Sequence, residues 1–335
     1  MGAGAIGCFV GGKLLAHAEG VHVAFVGRDR LKAELEQDGL KLQELDGRSV
    51  RVRADRITFH TDPDALADRD VVLVCVKSGQ TAEAAVMLAG VLAPGTLVVS
   101  LQNGLRNADL LRSGMPAEVV LAGIVGFNVV HRDDGTFRQA TSGPLVIENH
   151  ADPRLHTLAR GLTAAHFDLE LPDEIEPLQW TKLILNLNNA VSALTGAPTR
   201  ELVFDKGYRR ILAAVMEEAI GVLHHAGIRP GRLGTPVAVD MFPRVLRLPT
   251  PVLRVVARRL IKIDPEARSS MWEDLSRGRA TEVEELNGEI VRLAEACGTD
   301  APLNRRMVEL VHEAEEQGPG SPRLSADALW TGLHA

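Results

Sequence analysis

Short apolar runs alternate with helical segments through the first half of the chain, and this alternation restricts the fold more than any other feature. Residues 71–76 (VVLVCV) and 119–125 (VVLAGIV) are almost wholly apolar, and residues 21–26 and 96–101 have a similar character. Strands buried on both faces read as continuous apolar runs, and helices such as the one expected at residues 81–92 cover those faces. The pattern predicts a doubly wound, mostly parallel sheet.

The second half has a helical pattern. Gly196, Gly227 and Gly298 follow helical runs and are typical helix stop signals. We therefore predict an α/β domain at residues 1–171, closed by a hairpin at residues 137–148, and an all-α domain at residues 172–335. The expected helices lie at residues 175–194, 204–226, 252–263, 281–297 and 303–316.

Composition excludes several classes of function. The chain of 335 residues has a net charge of −7 and 4% aromatic residues, which disfavours binding to nucleic acid. Its three cysteines, Cys8, Cys75 and Cys297, lack the spacing of a zinc site or a disulfide framework, so we expect no metal. Without an apolar run of about 20 residues or a signal peptide, we expect a cytoplasmic protein that does not enter membranes.

A glycine motif opens the chain. GAGAIG matches G-x-G-x-x-G, in which the first glycine permits a tight turn, the second lets a pyrophosphate approach the backbone, and the third allows close helix packing. An apolar helix at residues 8–16 follows, and then a strand, as in dinucleotide-binding folds. The predicted cofactor contacts are Gly2, Ala3, Gly4, Ala5, Ile6 and Gly7.

This motif normally follows a buried strand, and no strand precedes Gly2 in this sequence. We therefore expect the natural protein to carry about six further residues that form the central strand, which its intact mass would test. Without that strand we expect lower stability and weaker cofactor binding.

Arg28 follows the expected strand at residues 21–26 and indicates the cofactor. Folds that prefer NAD usually place a carboxylate here to bind the ribose, whereas a guanidinium suits the 2′-phosphate of NADP. The adjacent Asp29 could neutralise Arg28 or bind a ribose itself. Alternatively, Arg28 is an ordinary charged residue of a solvated turn. We predict NADPH/NADP+ as the cofactor.

Lys77 and Asn103 each follow an expected strand, at the edge where such sheets bind ligands. Asn103 is placed to contact the nicotinamide ribose or the substrate. Alternatively, Lys77 is a surface lysine without a ligand, and Asn103 with Gly104 forms an ordinary Asn-Gly turn.

Lys182 and Asn186 are four residues apart, on one face of an expected helix, and Asn188 and Asn189 follow closely. Buried amides need partners, either a bound ligand or a network between helices. Further along, Thr281 and Glu284 have the spacing of a capping box.

Six motifs occur in the order found in the ketopantoate reductase family: GAGAIG, VK with QT, QNG, W-x-K-L-x-x-N, SSM-x-x-D and TE-x-x-x-LNG. The chain resembles that family over nearly its whole length. The resemblance implies a Rossmann domain followed by a helical domain, with the active site in the cleft between them. It also implies NADPH-dependent reduction of 2-dehydropantoate, a small 2-keto acid, to pantoate.

By this resemblance Lys182 is the catalytic lysine and proton donor, Asn186 and Ser270 bind substrate, and Glu282 lies near the nicotinamide. Gly2 to Gly7, Lys77 and Asn103 contact the cofactor, and Asn103 also touches substrate. The sequence departs from the family at residue 190, where an alanine replaces the second asparagine. We assign that substrate contact to Asn189, one position earlier.

Two other functions remain open at this stage. The shifted asparagine fits a reductase of the same fold that acts on another 2-keto or hydroxy acid. A non-catalytic NADP(H)-binding sensor is the second alternative, although a sensor has no need of residues 182, 186, 270 and 282. The oligomeric state is also open, with a homodimer as the candidate.

Overall fold

The computed structural model describes residues 1–234, 237–254 and 268–335. The chain forms two compact units, Met1–Ile175 and Glu176–Ala335. The sequence placed this boundary after residue 171, four residues earlier than the division after residue 175.

The first unit is an α/β domain. Its strands are β1 (Ala24–Val26), β2 (Leu40–Gln43), β3 (Ser49–Val52), β4 (Thr58–His60), β5 (Val71–Val74), β6 (Leu97–Ser100), β7 (Val119–Val125), β8 (Val129–His131), β9 (Thr136–Gln139), β10 (Leu145–Ile147) and β11 (Leu169–Glu170). Its helices are α1 (Ala5–His17), α2 (Asp29–Asp38), α3 (Thr81–Ala89), α4 (Asn107–Gly114) and α5 (Pro153–Ala164).

The main sheet has the order β11-β10-β7-β6-β5, and β5, β6 and β7 run parallel. Alternate side chains of β6 enter different cores: Leu97 and Val99 join the core that includes residues of α1 and α5, whereas Val98 joins the core that includes residues of α3 and α4. Each fully buried side chain of this kind contributes roughly 1.5–3 kcal/mol. Both faces are therefore covered, as the apolar runs predicted.

The predicted hairpin at residues 137–148 is wrong. Strand β9 pairs with β8 and with β2, whereas β10 pairs with β7 and β11 of the main sheet. The segment between β9 and β10 passes close to Gly126. The Gly126 N–H donates to the Pro144 carbonyl at 2.7 Å, and a Cβ on Gly143 would lie 2.0 Å from the Gly126 oxygen. The chain thus passes from one sheet to another at this point.

The second unit is helical, with no strand among its described residues, which confirms the predicted class. Residues 252–254 of the helix predicted at 252–263 are helical, and the rest of it lies outside the described residues. The helices are α6 (Glu176–Asn186), α7 (Asn188–Thr195), α8 (Thr199–Phe204), α9 (Lys206–His225), α10 (Phe242–Leu246), α11 (Ser270–Ser276), α12 (Val283–Ala296), α13 (Pro302–Glu316) and α14 (Ala326–Gly332).

Helix ends follow the glycine signals. Gly196, Gly227 and Gly298 all have positive φ angles, of 69°, 75° and 70°, which a glycine adopts without strain. One predicted helix, at residues 175–194, is divided into α6 and α7 at Leu187. The Leu187 N–H is shared between the carbonyls of Leu183 and Ile184, at 3.1 and 3.3 Å, which marks a locally tightened turn.

A buried polar network fixes three helices of this unit. Glu218 on α9 accepts hydrogen bonds from the backbone N–H groups of Leu303 and Asn304, at 2.9 and 2.8 Å, and so caps α13. The Asn287 amide of α12 donates to the Asn304 side chain at 3.0 Å. Helices α9, α12 and α13 are therefore held by directional bonds as well as by apolar packing.

Within the parts of the chain that the structure describes, every helix is too short or too polar to cross a bilayer.

Candidate functional site

Main-chain hydrogen bonds fix the glycine turn at the carboxyl ends of two strands. The Met1 amino group donates to the Leu73 carbonyl of β5 and its carbonyl accepts from the Cys75 N–H, both at 2.9 Å. The Gly2 N–H donates to the Val26 carbonyl of β1 at 3.0 Å. Strands β1 and β5 belong to different sheets, so this turn connects them.

The three glycines of the motif have different local surroundings. Gly2 has a φ of +82°, and a Cβ there would lie 2.6 Å from the Val76 nitrogen. A Cβ on Gly7 would lie 2.7 Å from the Gly2 oxygen, whereas a Cβ on Gly4 would have no heavy atom within 4 Å. Gly2 and Gly7 are thus required by the fold, whereas the space next to the Gly4 Cα is open.

These features fit a dinucleotide phosphate. Helix α1 begins at Ala5, and its N-cap Gly4 has no side chain to occupy the N–H groups of the first turn. The first turn also lacks an acidic residue that would repel an anion. The N–H groups of Gly2, Ala3 and Gly4 already donate to the Val26 and Gly2 carbonyls, so the free N–H groups of this turn are those of the first turn of α1. Since helix N-termini attract phosphate through free N–H groups and the helix dipole, the start of α1 is suited to hold a pyrophosphate.

Arg28 lies on the turn that follows β1, next to the glycine motif. Its side chain is exposed, and its carbonyl accepts the Leu31 N–H at 3.0 Å at the start of α2. A Cβ on the preceding Gly27 would lie 2.8 Å from the Ala3 Cβ, so the two turns are in close contact. Within the described residues Arg28 forms no ion pair with Asp29, and its guanidinium is available to a ligand.

Lys77 and Asn103 lie on the loops after the neighbouring strands β5 and β6. Lys77 is exposed and Asn103 is half-buried. The Ser78 hydroxyl donates to the Asn103 carbonyl at 2.7 Å, which joins the two loops. The structure therefore gathers the predicted cofactor residues of the first unit at one edge, after β1, β5 and β6.

Lys182 is half-buried on α6, within the second unit. Burial lowers the pKa of its amine to about 8, and no described carboxylate counteracts that shift. A pKa lowered by burial is a feature of many catalytic lysines.

The amides near Lys182 differ in their surroundings. Asn186 ends α6 and is half-buried, while Asn189 on α7 is only 7% exposed. The Asn188 side chain donates to the Leu185 carbonyl on the preceding turn. Asn188 is thereby satisfied locally, which leaves Asn186 and Asn189 as the candidate ligand contacts.

Ser270 and Glu282 are placed by helices that pack on α6 and α7. Ser269 caps α11 by accepting the Trp272 N–H at 3.0 Å, and it donates to the Asn189 carbonyl at 3.2 Å, which sets Ser270 beside α7. Glu282 is the N-cap of α12, which packs against α6. The five predicted residues of this unit thus lie on, or directly before, helices that contact in two pairs, α7 with α11 and α6 with α12.

The predicted capping box at Thr281 and Glu284 is wrong. The Thr281 N–H donates to Glu315 of α13 at 2.7 Å, and α12 begins at Val283. Glu284 instead contacts His312, at 3.0 Å. The carboxylate of the distant Glu315 therefore takes the place expected for Glu284. It fixes Thr281, the residue just before Glu282.

Sequence reasoning missed Ser269. A serine that directly precedes a helical run is a common N-cap, so the pair Ser269-Ser270 carried a signal for this role. It also missed the buried polar side chains behind Lys77 and Asn103, for which the sequence gives no periodic signal.

Comparisons with known proteins agree with this arrangement. Residues 1–152 match the family described as "Ketopantoate reductase PanE/ApbA", and residues 174–315 match "Ketopantoate reductase PanE/ApbA C terminal". The chain is 30% identical to the 2-dehydropantoate 2-reductase of Halobacterium salinarum over 321 residues, which cover 95% of this chain and 98% of that protein.

Two solved structures are similar over most of the chain. The PanE/ApbA family ketopantoate reductase from Ralstonia eutropha JMP134 has a TM-score of 0.77 and 34% identity, over 95% of this chain and 97% of that one. D-mandelate dehydrogenase with NADH and anilino(oxo)acetate has a TM-score of 0.75 and 21% identity, over 94% and 97%. At that identity the second likeness concerns the fold alone.

The contrast between Gly4 and Gly7 gives a testable prediction. Gly7→Ala should lower the melting temperature and abolish binding of the nicotinamide cofactor, because its Cβ meets the Gly2 oxygen at 2.7 Å. Gly4→Ala should keep the melting temperature but weaken binding of that cofactor, since the methyl group would fill the open space at the start of α1 that suits a phosphate. Thermal unfolding and fluorescence titration measure the two effects.

Gly221→Ala is the matched control, because that helical glycine of α9 has open space around it and lies in the other unit. It should leave binding unchanged. Equal losses of stability in the Gly4 and Gly7 variants would contradict the different roles given to these glycines, Gly7 in the fold and Gly4 in cofactor binding.

Proposed function

Because this chain belongs to the ketopantoate reductase family, we propose that it is an NADPH-dependent reductase that converts 2-dehydropantoate to pantoate. Lys182 carries the proposal: it is a half-buried lysine with a pKa of about 8, on the same helix as Asn186. The nicotinamide cofactor, when bound, supplies the hydride. The protein must then stabilise the carbonyl oxygen that gains negative charge and supply it with a proton.

The Lys182 ammonium is suited to both tasks. At pH 7, about one unit below its pKa, the charged form still predominates about tenfold, so a proton is present. Its lowered pKa also makes it a stronger acid than an exposed lysine, and general acids work best when their pKa is near the working pH. A charge in a partly dehydrated site stabilises an oxyanion more strongly than it would in water.

Asn186, Asn189 and Ser270 supply neutral donors for the carboxylate and hydroxyl groups of the substrate. Neutral donors orient the acid without forming an ion pair that would compete with Lys182. Glu282, which is 6% exposed at the start of α12, is assigned to the nicotinamide end of the cofactor.

We assign NADPH rather than NADH from Arg28. Its exposed guanidinium lies on the turn after β1, and it forms no ion pair with Asp29 among the described residues. A bidentate guanidinium favours a 2′-phosphate over a ribose hydroxyl. Lys77 and Asn103, at the adjacent strand ends, complete the proposed cofactor contacts.

A second candidate is reduction of another 2-keto acid. Ala190 is fully buried and contributes no polar group, and the neighbouring Asn189 is offset by one residue. One residue is about 100° on a helix, so this shift moves the amide around α7. A site altered in that way would select a substrate with differently placed hydroxyl groups.

A substrate panel tests the function. We expect oxidation of NADPH with 2-dehydropantoate at a kcat/KM at least about tenfold above that for other 2-keto acids. Lys182→Ala should lower kcat by about 10²–10⁴-fold, the usual contribution of a general acid. The exposed Lys206 at the start of α9 provides the control Lys206→Ala, which should keep full activity.

A higher rate with another keto acid would favour the second candidate. NADPH binding without turnover of any keto acid would indicate a sensor. If Lys182→Ala stays within threefold of wild type, Lys182 is not the proton donor.

The pKa of Lys182 sets the pH dependence. Because the amine must be protonated to donate, kcat/KM for reduction should be constant below the pKa and fall as pH rises through about 8. Oxidation of the hydroxy acid needs the neutral amine and should rise through the same range. Initial rates from about pH 6 to 10 test this, and a reduction rate that stays constant through pH 8 to 9, as expected for the ordinary lysine pKa of 10.5, would contradict it.

Arg28→Ala tests the cofactor preference. It should raise KM for NADPH by about tenfold or more and leave KM for NADH nearly unchanged, because only NADPH carries the phosphate. Arg53→Ala removes an exposed arginine of the same unit that pairs with Asp55, and it should change neither value. An equal effect of Arg28→Ala on both cofactors would place this residue outside the 2′-phosphate site.

A further inference from the structure

A closed network of buried polar side chains lies directly behind the loops that carry Lys77 and Asn103. All of its members are less than a tenth exposed although none is charged or apolar. Burying hydroxyl and amide groups is unfavourable unless each finds a partner. The members are Ser78, Thr81, Ser100, Gln102 and Asn107.

Thr81, the first residue of α3, is the centre of this network and is fully buried. Its hydroxyl accepts from the Gln102 amide at 2.7 Å and lies 2.6 Å from the Asn107 side-chain oxygen and 2.8 Å from the Ser78 carbonyl. Gln102 in turn accepts from the Ser100 hydroxyl at 3.0 Å. The two amides therefore have fixed orientations.

Asn107, the first residue of α4, closes the network onto Asn103. Its amide nitrogen donates to the Asn103 carbonyl and to the Ser78 hydroxyl, the latter at 3.2 Å. The same Asn103 carbonyl accepts the Ser78 hydroxyl at 2.7 Å. Two donors on one carbonyl fix the plane of the peptide that links Asn103 to Gly104.

We propose that Thr81 and Asn107 are positioning residues that hold the loops bearing Lys77 and Asn103 in the geometry that binds the nicotinamide dinucleotide. This inference rests on the proposed function. Ser78 follows Lys77 directly in the chain, and its hydroxyl donates to the Asn103 carbonyl. The network therefore contacts Asn103 itself and the residue next to Lys77. Satisfied buried networks are rigid, and displacements of about 1 Å are enough to impair a ligand site.

Thr81→Val tests the proposal, because valine has nearly the shape of threonine and lacks the hydroxyl. We expect the Kd for NADPH, measured by direct fluorescence titration, to rise about tenfold. Thr81→Ser restores a hydroxyl and should return the Kd to within about threefold of wild type.

Thr96→Val is the matched control. Thr96 is 3% exposed in the same unit, and its hydroxyl donates to the Ala93 carbonyl at 2.7 Å, away from this network. Thr81→Val leaves buried groups of Gln102 and Asn107 without a partner and should lose more melting temperature than Thr96→Val, which breaks one bond. Only Thr81→Val should change the Kd, and the control should keep the wild-type value. Ser78→Ala, which leaves the Asn107 bond to Asn103 in place, should raise the Kd by a smaller factor and serves if Thr81→Val does not fold.

Failure of the positioning role can be distinguished from failure of the proposed reductase function. Equal Kd values in Thr81→Val and Thr96→Val, or an unchanged Kd in Ser78→Ala when Thr81→Val does not fold, would overturn the positioning role even if the enzyme reduces 2-dehydropantoate. Wild-type protein that binds neither NADPH nor NADH would overturn both. A tenfold loss of affinity with rescue by serine supports the network whichever keto acid is the substrate.

Discussion

The first unit depends on the close approach of the glycine turn to the ends of β1 and β5. The backbone of Met1 and Gly2 bonds to both strands, and Gly2 and Gly7 fit only because they lack side chains. This contact orients α1 so that its N-terminus lies at the carboxyl edge of the sheet. A phosphate site made of backbone N–H groups exists only if that orientation is fixed.

The second unit depends on a different constraint, the partial burial of an amine. Lys182 lies on α6, and burial alone lowers the pKa of its amine to about 8. Residues far apart in the sequence are fixed by polar bonds in this unit: Ser269 donates to the Asn189 carbonyl, and Glu315 accepts the Thr281 N–H. The pKa of the Lys182 amine is thus set by packing, and polar bonds of distant residues help to maintain the packing of this unit.

Local patterns predicted much of this arrangement correctly. The apolar runs identified β5, β6 and β7, and the glycines at residues 196, 227 and 298 marked helix ends, because both signals arise from short-range sterics and burial. The hairpin at residues 137–148 and the capping box at Thr281 were wrong. In each case a distant partner, the Gly126 backbone or Glu315, replaced the local one.

The sequence by itself determined the fold class, the candidate phosphate-binding turn and the identity of the candidate catalytic lysine, because these follow from periodicity, from the conformational freedom of glycine and from family motifs. Only the tertiary structure decided the environment of those residues: the lowered pKa of Lys182, the role of Ser269 and the network around Thr81. Such properties depend on which groups are excluded from water together, and residues distant in the chain come into contact only on folding.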